Sequence, residues 1–174
     1  MTMSFAPGMN VFPGGGVSKD DMASEDPLLS CAIRETKEEV DISVPVCHLF
    51  DRWVTPEVED QRFDVSFFVA DTEEVGRLTT TEAVAMRWID PAEALDNHRD
   101  GLLPMLRPTV LILEALASGR VDGQPTAPPV PKLPRRRLDG RWDVVHAETN
   151  DVLVSGVAGP DRAEADGSPM TSES

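Results

Sequence analysis

Basic residues are scarce in this chain. Its 174 residues hold 16 lysines and arginines against 31 aspartates and glutamates, a net charge of −15. That balance argues against a general binder of nucleic acid or of anionic membranes. Cysteine is nearly absent. Cys31 and Cys47 are the only two, too few for a disulfide framework, and read as buried free thiols in a reducing compartment. The three histidines, His48, His98 and His146, are scattered without metal-ligand spacing, and no Ser/His/Asp arrangement stands out. No apolar run approaches the ~18 residues of a membrane span; residues 110–113 form the longest candidate and end at Glu114. The start shows no charged-then-apolar leader pattern, and no internal repeat is visible. The expectation is a cytoplasmic protein with neither a membrane nor a nucleic-acid partner.

What the chain does have is a concentrated acidic stripe. Arg34-Glu35-Thr36-Lys37-Glu38-Glu39 sets three glutamates at spacings i, i+3 and i+4. On a helix these share one face, with Cβ atoms about 5–6 Å apart, and like charges so placed destabilise it. A partner cation is the economical explanation, and clustered carboxylates suit hard divalent metals such as Mg²⁺ or Mn²⁺. Asp26-Pro27 reads as an N-cap followed by proline at the first helical position. Leu29, Ala32, Ile33, Thr36 and Val40 recur at helical spacing on the opposite face. Upstream, Pro13-Gly14-Gly15-Gly16 lets backbone approach a ligand closely, because no Cβ intervenes. A glycine loop followed by an acidic helix suits a diphosphate and a metal.

Pro13-Gly14-Gly15 followed by Arg34-Glu35-x-x-Glu38-Glu39 resembles the box of the Nudix hydrolases, Gly-x5-Glu-x7-Arg-Glu-U-x-Glu-Glu-x-Gly-U, where U is bulky and aliphatic. Ile42 fills the final aliphatic slot. Counting back from Arg34 puts the first acid at Asp26. The box glycine is Asp41, a residue that tolerates the positive φ of a helix end. The stretch between Gly15 and Asp26 is longer than the usual spacing. The resemblance implies an α/β/α sandwich around a mixed sheet. It implies Mg²⁺ or Mn²⁺ held by Glu35, Glu38, Glu39 and the Gly14 carbonyl. Glu39 or Glu82 is then the base, Arg34 orients the glutamates, and Gly15 and Gly16 lie against the substrate. Little precedes the glycine loop, so the chain is expected to be N-terminally shortened and to lack the first strand of the sheet. Residues 17–25 read as an acidic solvent loop, with Asp20 or Asp21 as further metal ligands the alternative.

Downstream, residues 44–54 and 62–70 alternate as two strands of a hairpin. Arg52-Trp53-x-Thr55-Pro56-Glu57 and Arg62-Phe63-Asp64 resemble the acyl-CoA diphosphatase-like branch of the family, which points to coenzyme A or its esters as substrate. Arg52 and Arg62 read either as phosphate contacts or as surface ion pairs. Residues 79–90 read as a loop bearing Glu82, then a strand with Val84, Met86 and Trp88. Asp90-Pro91 starts a helix, and residues 108–118 form the last core helix. The domain reading is residues 1–120 as the catalytic domain, 121–158 as a proline-rich linker with a possible hairpin, and 159–174 as a disordered tail. The function expected is metal-dependent hydrolysis of a diphosphate bond in a nucleoside diphosphate linked to another moiety. The alternatives are a non-catalytic nucleotide-binding module and an inactive truncated fragment. The oligomeric state is open, a homodimer included.

Overall fold

The computed structural model describes residues 8–55, 63–119, 132–136, 142–146, 148–149 and 152–157. The strand expected to be missing ahead of the glycine loop, and Arg62, concern residues outside that set. After a 3-10 turn at Asp21–Ala23, helix α1 spans Pro27–Val40. Its ends are built as read from the sequence. The Asp26 carboxylate accepts the Leu29 amide at 3.1 Å, proline fills the first turn, and Asp41 ends the helix in the left-handed region at φ 54°. Aspartate tolerates that conformation because its short side chain bonds locally; here it pairs with Lys37 at 2.6 Å and with Arg77 at 2.9 Å.

Strands β1 (His48–Val54) and β2 (Asp64–Val69) pair antiparallel, closed by the Thr55 amide donating to the Phe63 carbonyl at 2.8 Å. Three more strands, β3 (Lys132–Arg136), β4 (Trp142–His146) and β5 (Val152–Val157), complete a sheet of order β2-β1-β3-β4-β5. β3 runs parallel to β1, meeting it at Trp53 and Lys132, and antiparallel to β4. Lys132 also pairs with Asp51 and lies 5.7 Å from the Trp53 ring centroid. Proline removes a ladder donor and is disfavoured inside a sheet. Pro134 is accommodated because β3 meets β1 only at Lys132, so beyond that point its β1 side carries no ladder.

Helices α2 (Pro91–Arg99) and α3 (Arg107–Ala117) enclose one apolar cluster: Ala94, Leu95, Leu103, Met105, Val110 and Leu113. The Asp90 side chain caps α2 by accepting from Ala92 and Glu93. Asn10 pairs with Met105 and bonds the Pro104 carbonyl, tying the approach to the glycine loop onto the α2–α3 connection. A second cluster, Val40, Ile42 and Val44, packs with Ile33, Cys47, Ala70 and Met86 at the far end of α1. Helices beside a mixed sheet make this an α/β fold.

Two local expectations are overturned. Residues 84–88 form no strand. Val84 is fully exposed and Trp88 is 61% exposed, while Met86 alone packs on the Val40 cluster. Alternation predicts a buried face only where a neighbouring strand supplies a ladder, and none pairs here among the described residues. The stretch 17–25 is also more than a solvent loop, because Asp21 is buried within it.

Candidate active site

The site begins where the glycine loop crosses α1. The Gly14 amide donates to Glu39 Oε2 at 3.1 Å. Gly15 lies so close to Glu35 that a Cβ there would stand 2.2 Å from Oε1, so any side chain would evict the carboxylate. Cys31 Sγ donates to the Gly15 carbonyl at 3.6 Å and Arg34 Nη2 to the Gly16 carbonyl at 3.2 Å. Loop and helix are thus joined at three successive glycines.

Arg34 is the hub. Its Nη1 lies 2.9 Å from Glu35 and 3.0 Å from Glu38. On the other side Nη2 reaches Asp21 Oδ2 at 2.8 Å, and Nε lies 3.2 Å from both Asp21 oxygens. A forked guanidinium–carboxylate contact of this kind is directional as well as strong. Ser18 and Asp21 bond reciprocally, each side chain taking the other's amide, at 2.8 and 3.1 Å, as in a capping box. Ser30 donates to Asp21 at 3.3 Å. Bonding to Arg34, then to the Ser18 amide, holds the Asp21 carboxyl well below the usual carboxylate range. The same pair pushes Arg34 upward.

This corrects the alignment of the box. Asp26 caps the helix; Asp21 engages Arg34. Gly15 and Asp21 are themselves separated by five residues, the box's own first interval, so the extra length lies after Asp21. The available signal was Ser18-x-x-Asp21, a capping-box pattern.

The far end of α1 is held by an extended segment. The amides of Arg77 and Thr79 donate to the carbonyls of Val40 and Glu39 at 2.8 and 2.9 Å, and Thr79 Oγ1 donates to the Glu38 carbonyl. These bonds satisfy acceptors that a helix terminus leaves free. They also anchor the loop carrying Glu82 beside Glu39. Glu39 binds protons more tightly than an ordinary glutamate, first through burial and then through the charges of Glu35, Glu82 and Glu38, against the opposing Gly14 amide. Glu82 therefore lies within electrostatic reach of the acidic face. Arg52 is elsewhere engaged, in a forked pair with Asp64 across β1 and β2 at 2.7 Å through Nε, and Glu148 adds to its field. Arg62 lies outside the described residues.

The donor set fits a hard divalent cation, since it offers carboxylate and carbonyl oxygens. Among the described residues, however, no three ligating side chains already stand together as a set, and Glu35 and Glu38 are both paired with Arg34. No helix among the described residues is long and apolar enough to cross a membrane.

A glycine loop clamped onto a carboxylate-bearing helix, beside a mixed sheet, defines an α/β protein whose site suits a charged, oxygen-rich ligand. The family model of the NUDIX domain matches residues 3–107, more than half of the 174 residues, and the chain belongs to the Nudix family. Membership carries hydrolysis of phosphorus-containing acid anhydrides, and members generally use divalent ions such as Mg²⁺ or Mn²⁺. No curated protein and no solved structure matches the chain.

Proposed function

We propose that the chain is a metal-dependent diphosphatase. It cleaves the diphosphate of a nucleoside diphosphate linked to another moiety. Coenzyme A and its esters are the first candidates, on the resemblance around Arg52-Trp53-x-Thr55-Pro56-Glu57. The observation that carries the reading is the contact of Glu39 with the Gly14 amide and of Glu35 with Gly15, which sets two box carboxylates on the glycine loop. Glu35, Glu38, Glu39 and the Gly14 carbonyl would hold Mg²⁺ or Mn²⁺. The ion supplies charge neutralisation and Lewis acidity at the phosphoryl oxygens. Glu39, or Glu82 beside it, takes the proton of the attacking water, as general base catalysis requires a carboxylate within reach. Arg34 fixes the rotamers of Glu35 and Glu38, and Gly15 lets the loop backbone lie against Glu35 with no Cβ between them.

The test is a substrate panel of coenzyme A, acetyl-CoA, ADP-ribose, NADH and dinucleoside polyphosphates, with Mg²⁺ and with Mn²⁺. Release of a nucleoside phosphate is measured for the parent and for Glu35→Gln and Glu39→Gln. Loss of turnover in folded variants supports the reading; near-equal rates in both variants sink it. The hold of Arg34 on Glu35 and Glu38 favours one second reading, a Nudix-fold module that binds a nucleotide without cleaving it. Binding with no turnover on any substrate of the panel would select that one.

A further inference from the structure

The loop that carries Glu82 has two arms, and they enclose a groove. Val75–Leu78 form one wall and Ala85–Trp88 the other, around about 410 Å³, within the range of small-molecule sites. One arm of the groove is bonded to the end of α1, where the amides of Arg77 and Thr79 donate to the carbonyls of Val40 and Glu39. In a protein of net charge −15 its lining includes two arginines, Arg77 and Arg87, and the indole-bearing Trp88. Arg77 is shared with Asp41, while Arg87 has no carboxylate partner among the described residues. The Trp88 ring is fixed rather than loose: its N–H donates to the Val75 carbonyl at 2.7 Å, bridging the two arms, yet the residue stays 61% exposed.

An immobilised, open indole flanked by an uncommitted guanidinium suits a planar base with an attached phosphate. Aromatic faces stack bases of any identity, and guanidinium forks match phosphate oxygens. We propose that this groove binds the nucleoside monophosphate half of the substrate, with the base on Trp88 and a phosphate on Arg87. The proposal rests on the diphosphatase reading for its substrate class. It places the nucleotide against the arms of the loop that delivers Glu82.

Binding of 5′-AMP, which has no diphosphate to cleave, tests the groove apart from catalysis. Calorimetric titration would compare the parent with Arg87→Ala, Trp88→Ala and Glu39→Gln. Both groove side chains are exposed, so the variants should fold, checked by circular dichroism. The expected result is AMP binding weakened by about tenfold in each groove variant, the effect of losing one stacking or charged contact, and retained in Glu39→Gln. Trp88→Phe should recover much of the stacking. Equal AMP affinity in parent and groove variants overturns the proposal. So does a parent that binds no AMP but dimerises through this open edge, seen as a doubled mass in sedimentation that Trp88→Ala abolishes. AMP binding that follows the expected pattern in a chain that hydrolyses nothing would keep the groove and remove the diphosphatase reading.

Discussion

Arg34 and Asp21 form a forked ion pair across thirteen residues of chain, at 2.8 Å and 3.2 Å, and that pair ties the loop after the glycines to the acidic face of α1. The Asp21 carboxylate is buried, so its geometry passes to Glu35 and Glu38 through one guanidinium. Asp21→Asn should cut turnover by about 10–100-fold, the usual range when a group orienting metal ligands is lost. Asp26→Ala removes a helix cap instead and should destabilise by about 1 kcal/mol with turnover largely kept. Steady-state kinetics and urea denaturation of the two variants measure the contrast; equal kinetic losses would return the first box acid to Asp26.

The same pair sets an acid dependence. Asp21 has its folded pKa depressed below the ordinary 3.8, chiefly by Arg34. The unfolded chain binds that proton first as pH falls, so the pair's stabilisation is complete above about pH 5 and is lost progressively below it. Thermal midpoints measured from pH 7 downwards should therefore fall more steeply in the parent than in Asp21→Asn.

Much of this was legible in the sequence, for local reasons. Asp26, Pro27 and Asp41 announce the ends of α1 within a few residues of the groups they satisfy, as does Asp90 for α2. The acidic stripe is one helix face and needs only the period of the helix. What was not legible depended on partners far along the chain. Counting back from Arg34 put the first box acid at Asp26, while only the folded loop shows that Asp21 is the carboxylate that reaches Arg34. The alternation at Val84, Met86 and Trp88 suggested a strand, but a strand exists only with a neighbour to bond it. Lys132–Arg136 carries a proline and reads as linker, yet β4 organises it into the sheet.

Glu39 offers a test in which stability and activity move in opposite directions. Its folded pKa is raised above the ordinary 4.5, largely by burial. Its contribution to stability is thus greatest below that value and is lost as pH rises through the folded pKa, leaving the ionised group a net cost at neutral pH. Glu39→Gln should raise the metal-free thermal midpoint at pH 7 by a few degrees while lowering turnover by about 10²–10⁴-fold, the scale of general acid–base catalysis. Mg²⁺ should stabilise the parent and do so far less in the variant.

Gly15→Ala separates site geometry from folding. The three atoms nearest the new methyl all belong to the Glu35 carboxylate, with Oε1 at 2.2 Å, and that carboxylate can swing aside with little cost to the fold. The thermal midpoint should stay close to the parent's while turnover falls by about 10²-fold, as expected for a misplacement near 1 Å. Gly76→Ala behaves differently. It sits at φ +68°, with a Cβ 2.6 Å from Ile42 Cγ1 and 2.7 Å from the Val40 carbonyl, atoms of the core and backbone that cannot yield cheaply. It should destabilise by at least about 1–3 kcal/mol in urea titration, and it should also loosen the Arg77–Thr79 clip that holds Glu82 beside Glu39. A Gly76→Ala protein as stable as the parent would show that this clip is not what seats the loop, and Glu82 would lose its structural route to the site.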